Sequence, residues 1–452
     1  MAALVLRDAR PWERTRRYVS VGAGVLLMAA VGSNHAISAW NAQLKSELHY
    51  SQAEISMVCS MASFGAYFSV TPGYVYDQIG AHRSVICGAL LLCSIFLGLY
   101  VGIVDYPALM QPLGVGIAFA VMGQATNFGV FAALGPNEGL FGSKNRGKIM
   151  ALELAAFSAG GALFALMYNR YFDENVPGYF QFMALLMLIV FLFSWCALYR
   201  EPQGAEDKNA THMSAMEEFM PPESEVNDDD DQHQFVQSVD ITGRELMADA
   251  RFWLLFSTVF ILVGSSLFVM ANISFIVESR RGPMHQVPIM VALFSIGNCC
   301  GRLFGGVISD HVLARCPRVY FVTLASVLVA MIHTLFLVIP AAYLVVPITL
   351  SGVADGVMFA AFPVLTRETF GARHFGKNFG MMSVANAIGF PLFFNPLGSF
   401  FYKLSATTVD GVEKCYDDQC FRPIFILVVC LSGVAFAASL KFAARQKYTP
   451  LR

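Results

Sequence analysis

The sequence predicts an all-α polytopic membrane protein: twelve transmembrane helices in two pseudosymmetric six-helix bundles. Three observations predict it. The 452 residues are 56% hydrophobic and only 14% charged, where a soluble chain of this size carries about 25% charged residues. Twelve separate apolar runs each reach the about 20 residues that a bilayer-crossing helix needs. Two short polar motifs of the first half recur in the second at nearly one offset, as duplicated units do.

Taken in order, the opening MAALVLRDARPWERTRRY lacks the short apolar core and small-residue cleavage site of a signal peptide. Residues 1–17 are expected to be a cytosolic segment. The first bundle, 18–199, holds runs 18–44, 53–75, 84–104, 108–134, 147–168 and 178–199. Residues 200–250 are an acidic cytosolic linker. It contains PPESEVNDDDDQHQ, a polar composition that predicts disorder. Its last part, ITGRELMADARFW, reads as a helix feeding span seven, and the sequon at Asn209 goes unused on the cytosolic side. The second bundle, 251–441, holds runs 252–277, 287–309, 319–339, 343–365, 378–400 and 423–441, followed by a cytosolic tail, 442–452.

Lysine and arginine set the orientation. With the N-terminus in the cytosol, most of the 30 basic residues fall on that side. The other side keeps Lys45, Arg170, Arg280, Arg281, Lys403, Lys414 and Arg422. Both termini are therefore expected in the cytosol, in the plasma membrane or an intracellular one.

Composition also excludes. A net charge of −2 argues against a nucleic-acid partner, which wants a basic face. The ten cysteines form no C-x-x-C pair, so neither a zinc site nor a thioredoxin-type motif is indicated. No H-E-x-x-H, G-x-S-x-G or nucleotide loop is present, so no enzyme, metal or cofactor is expected. Cys415 and Cys420 share the long outer loop; a disulfide and two free thiols both remain open.

The loop after span two reads GYVYDQIGAHRSV, residues 73–85, and the loop after span eight reads GGVISDHVLARCPR, residues 305–318. Asp77 and Asp310 are 233 positions apart. FGSKNRGKIM (141–150) and FGARHFGKNFG (370–380) form the second pair, with Gly147 and Gly376, and Lys148 and Lys377, each 229 apart. Parallel repeats about an axis along the membrane normal mark one class of membrane carriers.

On these motifs the chain resembles the major facilitator superfamily over essentially its whole length. The family's G-x-x-x-D-x-x-G-x-[RK]-[RK] loop is matched by Gly73, Asp77, Gly80 and Arg83, with His82 in place of one basic residue. The resemblance implies alternating access, with the acid pairing across the half-to-half seam on the cytosolic face. Physically, a carboxylate at a helix end can accept from the first amides of a neighbouring helix. Within the superfamily, GSNHAISAWNAQLKSELHYSQAEI (32–55), KNRGKIMALELAAFSAGGALFALMYNRYF (144–172), DARFWLLFSTVFILVGSSLFVMANI (249–273), SIGNCCGRLFGGVISD (295–310) and FGKNFGMMSVANAIGFPLFFNPLGSFFY (375–402) resemble nodulin-like proteins. A weaker similarity extends to monocarboxylate carriers. Those place an acid four residues before the span-eight arginine and a lysine in span one; here the first position is Asn298, and span one has no interior lysine.

Carrier sites lie near the bilayer midplane, so interior polar residues are the site candidates. Spans three, nine and twelve carry no interior Asp, Glu, Lys, Arg, Asn or Gln, and span six only Gln181. That matches the superfamily arrangement, in which these four spans are peripheral. The solute cavity is expected to draw on His35, Gln124, Asn127, Asn298, Arg302, Asp355 and Asn386. Seam and coupling residues are expected to be Gly73, Asp77, Gly80, Arg83, Glu153, Arg302 and Asp310. A lone charge at helix centre costs about 2.5–3.5 kcal/mol on insertion scales, so such groups face a wet cavity or a partner. Arg302 either bridges to Glu153 across the halves or anchors an anionic solute. Asp355 either carries a coupling proton or holds amide groups, and His35 is either a packed imidazole or a proton carrier. Asn and Gln at such positions also serve simply to bridge helices, and His333 in span nine reads as structural. The expected partners are a small-molecule solute, the lipid bilayer and a coupling proton, with one chain as the functional unit. The two function classes are a secondary transporter and a transporter-like sensor that binds without flux.

Overall fold

A computed structural model describes residues 11–50, 52–138, 140–141, 145–172, 175–199, 240–312, 317–409 and 412–446. The expected disorder, the sequon and Cys316 lie outside the described residues. Within them the regular structure is helical except for one short antiparallel hairpin, Thr407–Val409 against Val412–Lys414, after span eleven. Eleven helical stretches are long and apolar enough to cross a membrane. One of them, Met57–Asp105, contains two spans, because the helical path breaks at Gly80 with φ 76° and ψ 174°, a backbone open to glycine. The result is the twelve predicted spans.

Span one is Pro11–Val31, a 3₁₀ turn Gly32–Ala36 and Ile37–Glu47. Span two is Gln52–Tyr67 continued from Val70 to the break at Gly80, and span three runs on to Asp105. Spans four to six are Pro112–Asn137, Arg146–Tyr171 and Val176–Ala197. Spans seven to ten are Ala250–Ser279, Val287–Val312, Val319–Val338 and Val345–Phe370. Span eleven is Phe375–Ile388, a π-helical turn Gly389–Phe394 and Asn395–Ser405; span twelve is Arg422–Arg445.

The stretch ITGRELMADARFW is not one helix. Arg244–Ala248 forms a single turn, and Asp249 then turns extended and caps span seven, accepting from the Arg251 amide at 2.7 Å. Aspartate competes well for this cap position, so it ends one helix and starts the next. Cys415 and Cys420 are joined as a disulfide.

Burial differs among the spans but does not by itself single out the peripheral ones, since span eight is as uncovered as span six. The apolar stretch of span four is 72% buried and that of span six only 33%. Spans nine and twelve are likewise mostly uncovered, with Leu324, Met331 and Val434 exposed on their outer sides, as lipid-facing helices require. Each half keeps its own aromatic core: Trp40 stacks on Phe119 in the first and Phe336 on Phe425 in the second. The duplication is visible in the backbone. His49 and Arg281, which follow spans one and seven and lie 232 positions apart, are the two non-glycine residues with positive φ, at 53° and 52°, among the described residues.

Both described chain ends lie on one face, termed here the terminal face: the Arg16 guanidinium sits 5.2 Å over the Tyr199 ring, and Gln446 donates to Thr369 Oγ1 at 2.9 Å.

Candidate functional site

Spans one, seven and eleven are interrupted part-way along: the Gly32–Ala36 turn, a non-helical Asn272, and the π-helical turn. Irregular backbone at membrane depth is tolerated where protein or a wet cavity covers it, and broken spans in corresponding halves point to a binding site. His35 sits in the first of these breaks.

A polar cluster lies halfway along spans five, eight and ten, where the two halves meet. Asn298 is its hub. Asn298 Oδ1 accepts from the Ser158 hydroxyl and from Arg302 Nε, both at 2.8 Å, and its Nδ2 donates to Asp355 Oδ2 at 2.5 Å. Arg302 Nη1 donates to the carbonyl of Leu154, in the other half, at 2.8 Å. The guanidinium lies 4.4 Å from the Phe359 ring centroid and 6.0 Å from that of Phe157. His35 meets Phe157 edge-to-face at 5.0 Å. Tyr67 of span two is close enough to interact electrostatically with Asp355 and Arg302. Asn298, Arg302 and Asp355 are 6%, 4% and 2% exposed, so the charges sit where water does not screen them. Asp355 Oδ1 has no partner among the described residues.

The structure gathers His35, Asn298, Arg302 and Asp355 but turns other candidates elsewhere. The Gln124 amide donates to the carbonyls of Gly65, at 2.6 Å, and Phe68. Asn127 donates to Ala66 and Gly123 at 2.9 and 3.0 Å. Both amides thus tie span four to span two where the latter is interrupted between Tyr67 and Val70. Asn386 is buried with its Oδ1 unpartnered among the described residues. His333 is buried in span nine, its Nδ1 2.9 Å from the Val329 carbonyl, which fits a packing role.

The Glu153–Arg302 ion pair, one of the two roles open to Arg302 and one that would form in a single access state, is not made in this conformation. Glu153 Oε1 instead accepts from Asn137 Nδ2 at 2.6 Å, and Asn137 exchanges further bonds with Ser20. One residue is about 100° of helical turn. Leu154 therefore faces the seam while Glu153 faces spans one and four of its own half.

Toward the terminal face the halves are sealed by two reciprocal contacts. Asp77 accepts from the amides of Gly376 and Lys377 at 2.9 and 2.8 Å. Asp310 accepts from the amide of Lys148 at 2.7 Å. Each aspartate thereby caps a helix of the opposite half, where partial positive charge gathers. The spans touch closely there: a Cβ on Gly73 would lie 2.1 Å from the Gly376 carbonyl, and one on Gly306 would lie 2.1 Å from Ala151 Cβ. Arg83 is exposed beside Gly80.

Other residues on this face were not among those expected. Arg318 pairs with both Asp310 and Glu368, Glu368 lies 3.9 Å from Arg146, and Glu138 pairs with Arg367. A signal was present for the last pair, since Glu138 and Arg367 are 229 positions apart, the offset of the neighbouring motif. Tyr67, Ser158, Phe157 and Phe359 carried no signal, being ordinary residues of apolar helices.

Comparison with known proteins agrees with this architecture. In sequence the chain is 23% identical over 383 residues to an uncharacterized MFS-type transporter, YhjX of Escherichia coli (strain K12), covering 84% of this chain and 86% of the relative. It is 22% identical over 524 aligned positions to a probable transporter mch1 of Neurospora crassa, covering 90% of this chain and 86% of that one. In structure it superposes on a double-Trp mutant of XylE with a TM-score of 0.69 at 14% identity, covering 96% and 98% of the two chains. A bacterial homologue of the iron transporter ferroportin, in its outward-facing state, gives 0.63 at 14% identity, covering 94% and 99%. These likenesses establish the fold. The sequence model of the Major Facilitator Superfamily matches residues 22–389, and again 254–450. The chain belongs to the Major Facilitator Superfamily and is a secondary transporter of the membrane.

Proposed function

We propose that this carrier moves a small polar organic solute, an organic anion, anchored on Arg302, and that it belongs to the nodulin-like branch. The observation that carries the reading is the state of Arg302. It is buried at mid-depth between the halves, bonded to an amide oxygen and a backbone carbonyl and 4.4 Å from the Phe359 ring centroid. None of these groups carries negative charge. A buried cation in that state gains from an anion placed beside it. Asp355 lies two hydrogen bonds from Arg302 through Asn298, and in this reading it carries the coupling proton.

The same groups link solute binding to the access change. Arg302–Leu154 and Ser158–Asn298 both join the two halves. An anion on the guanidinium competes with the Leu154 carbonyl for its N–H groups, which loosens the seam at mid-depth. The conformation described is sealed on the terminal face, which the lysine and arginine bias assigns to the cytosol.

The test is uptake into reconstituted vesicles of labelled organic acids, amino acids and metal or haem complexes, with and without a pH gradient. The expected result is uptake of an organic acid that responds to the gradient and is lost in Arg302→Gln. Full uptake by Arg302→Gln overturns the anchor. Tight binding without flux favours the sensor.

A further inference from the structure

The last residues of the segment that joins the halves are seated on the second half. Ile241 donates its amide to the Phe370 carbonyl at 3.1 Å, and Asp240 Oδ1 accepts from the Arg373 amide at 3.2 Å. Asn378 Nδ2 donates to the Ile241 carbonyl at 2.9 Å. Gly371, at φ 98°, leaves the space that Asp240 fills: a Cβ there would lie 1.9 Å from Asp240 Oδ1. Asn378 is fully buried, so its bond to Ile241 is shielded from competing water.

Asn378 directly follows Gly376 and Lys377, whose amides hold Asp77 of the first half. One turn of span eleven therefore grips the joining segment with a side chain and the opposite half with its backbone. The other latch lacks this arrangement. The position 229 residues before Asn378 is Ile149, which has no side-chain amide to offer a strap.

We propose that Asp240–Ile241 form a strap through which the segment between the halves sets the Asp77 latch, and so biases which face of the carrier opens. Tension or a ligand acting on that segment shifts the Asp77 contact through Asn378 and leaves the Asp310 contact in place. The strap orients the start of span eleven; losing it lets Gly376 and Lys377 drift from Asp77, and the terminal face opens more often.

The experiment needs no solute, so it stands apart from the anion reading. The full chain, with exposed Cys196 and Cys430 replaced by serine, carries nitroxide labels at the exposed positions Trp12→Cys and Lys441→Cys in lipid nanodiscs. Pulsed dipolar spectroscopy then reads the separation of the halves at the terminal face. The parent is expected to give one short distance. In Asp240→Ala with Asn378→Ile the longer-distance population rises at least about fivefold, the scale set by losing hydrogen bonds of this kind. Asp240→Asn, which keeps the acceptor, and Glu245→Ala, which lies outside the strap, should match the parent. A folded double variant with the parent's distances overturns the proposal. Should the double variant not fold, Asp240→Ala alone is measured at the same labelled pair, and parental distances there overturn the proposal equally.

Discussion

Asp77 and Asp310 make the same contact in opposite directions. Asp77 reaches from the first half to the amides that begin span eleven, and Asp310 from the second half to an amide that begins span five. The two acids are repeat equivalents, and so are the amides they hold.

The two latches should differ in strength. Asp77→Asn removes a charge-assisted acceptor, an effect of about 1.5–3 kcal/mol. Asp310→Asn also takes from the buried Arg318 guanidinium one of its two carboxylates, leaving Glu368, so a second charge-assisted bond of about 1.5–3 kcal/mol is lost with the latch. Thiol labelling of single cysteines at the terminal face should therefore rise more for Asp310→Asn than for Asp77→Asn. Equal labelling would mean that Arg318 adds nothing to the seal.

At the mid-depth cluster, Arg302→Lys loses the Nε bond to Asn298 and the guanidinium's contact with the Phe359 ring together. A lysine is not a conservative replacement at such a site. Uptake should fall at least about tenfold, the effect of about 1.4 kcal/mol. Asn298→Asp sets a second carboxyl beside Asp355, which lies 2.5 Å from the present amide. Its uptake should become steeply dependent on acid pH, since two close carboxylates cannot both ionise. A flat profile for Asn298→Asp would separate Asp355 from transport.

Glu138 and Arg367 should be energetically coupled. In a double-mutant cycle with Glu138→Gln and Arg367→Gln, read as terminal-face labelling, a coupling of about 0.5–3 kcal/mol is expected. The charge swap should recover the seal only in part, because an arginine at 138 then faces Arg146, which lies within the same charge group.

Asp249 gives a stability test outside the membrane. Burial alone would raise its carboxyl, but hydrogen bonds from the Arg251 guanidinium and amide outweigh that and hold it below the ordinary aspartate range. A depressed value places its contribution above the unfolded value and removes it as pH falls through the folded one. Asp249→Ala should cost about 1 kcal/mol at neutral pH and nothing in strong acid. Melting curves in detergent across that range check both ends; a loss that persists in acid would contradict the charge-based part.

Much of this was legible in the residues. Long apolar runs report spans directly, because lipid tolerates little else. The sorting of Asn298, Arg302 and Asp355 to inner spans follows from the same cost. The facing of a residue on its helix was not legible: Glu153 and Leu154 differ by one position, yet only the latter reaches Arg302. Asn127 and Asn298 look alike in sequence, and only packing decides that one braces an interrupted span while the other organises the site. The offset of 229 revealed that Glu138 and Arg367 are equivalents, but not that equivalents meet.

That meeting bears on the origin of the chain. In a dimer of identical subunits, a residue on the twofold axis faces its own copy, so Glu138 would have stood against glutamate and Arg367 against arginine. Opposite charges at one shared position can arise only once the two copies are encoded separately and free to diverge. The ion pair at the terminal face therefore postdates the duplication, and any ancestral homodimer must have closed this face by other means.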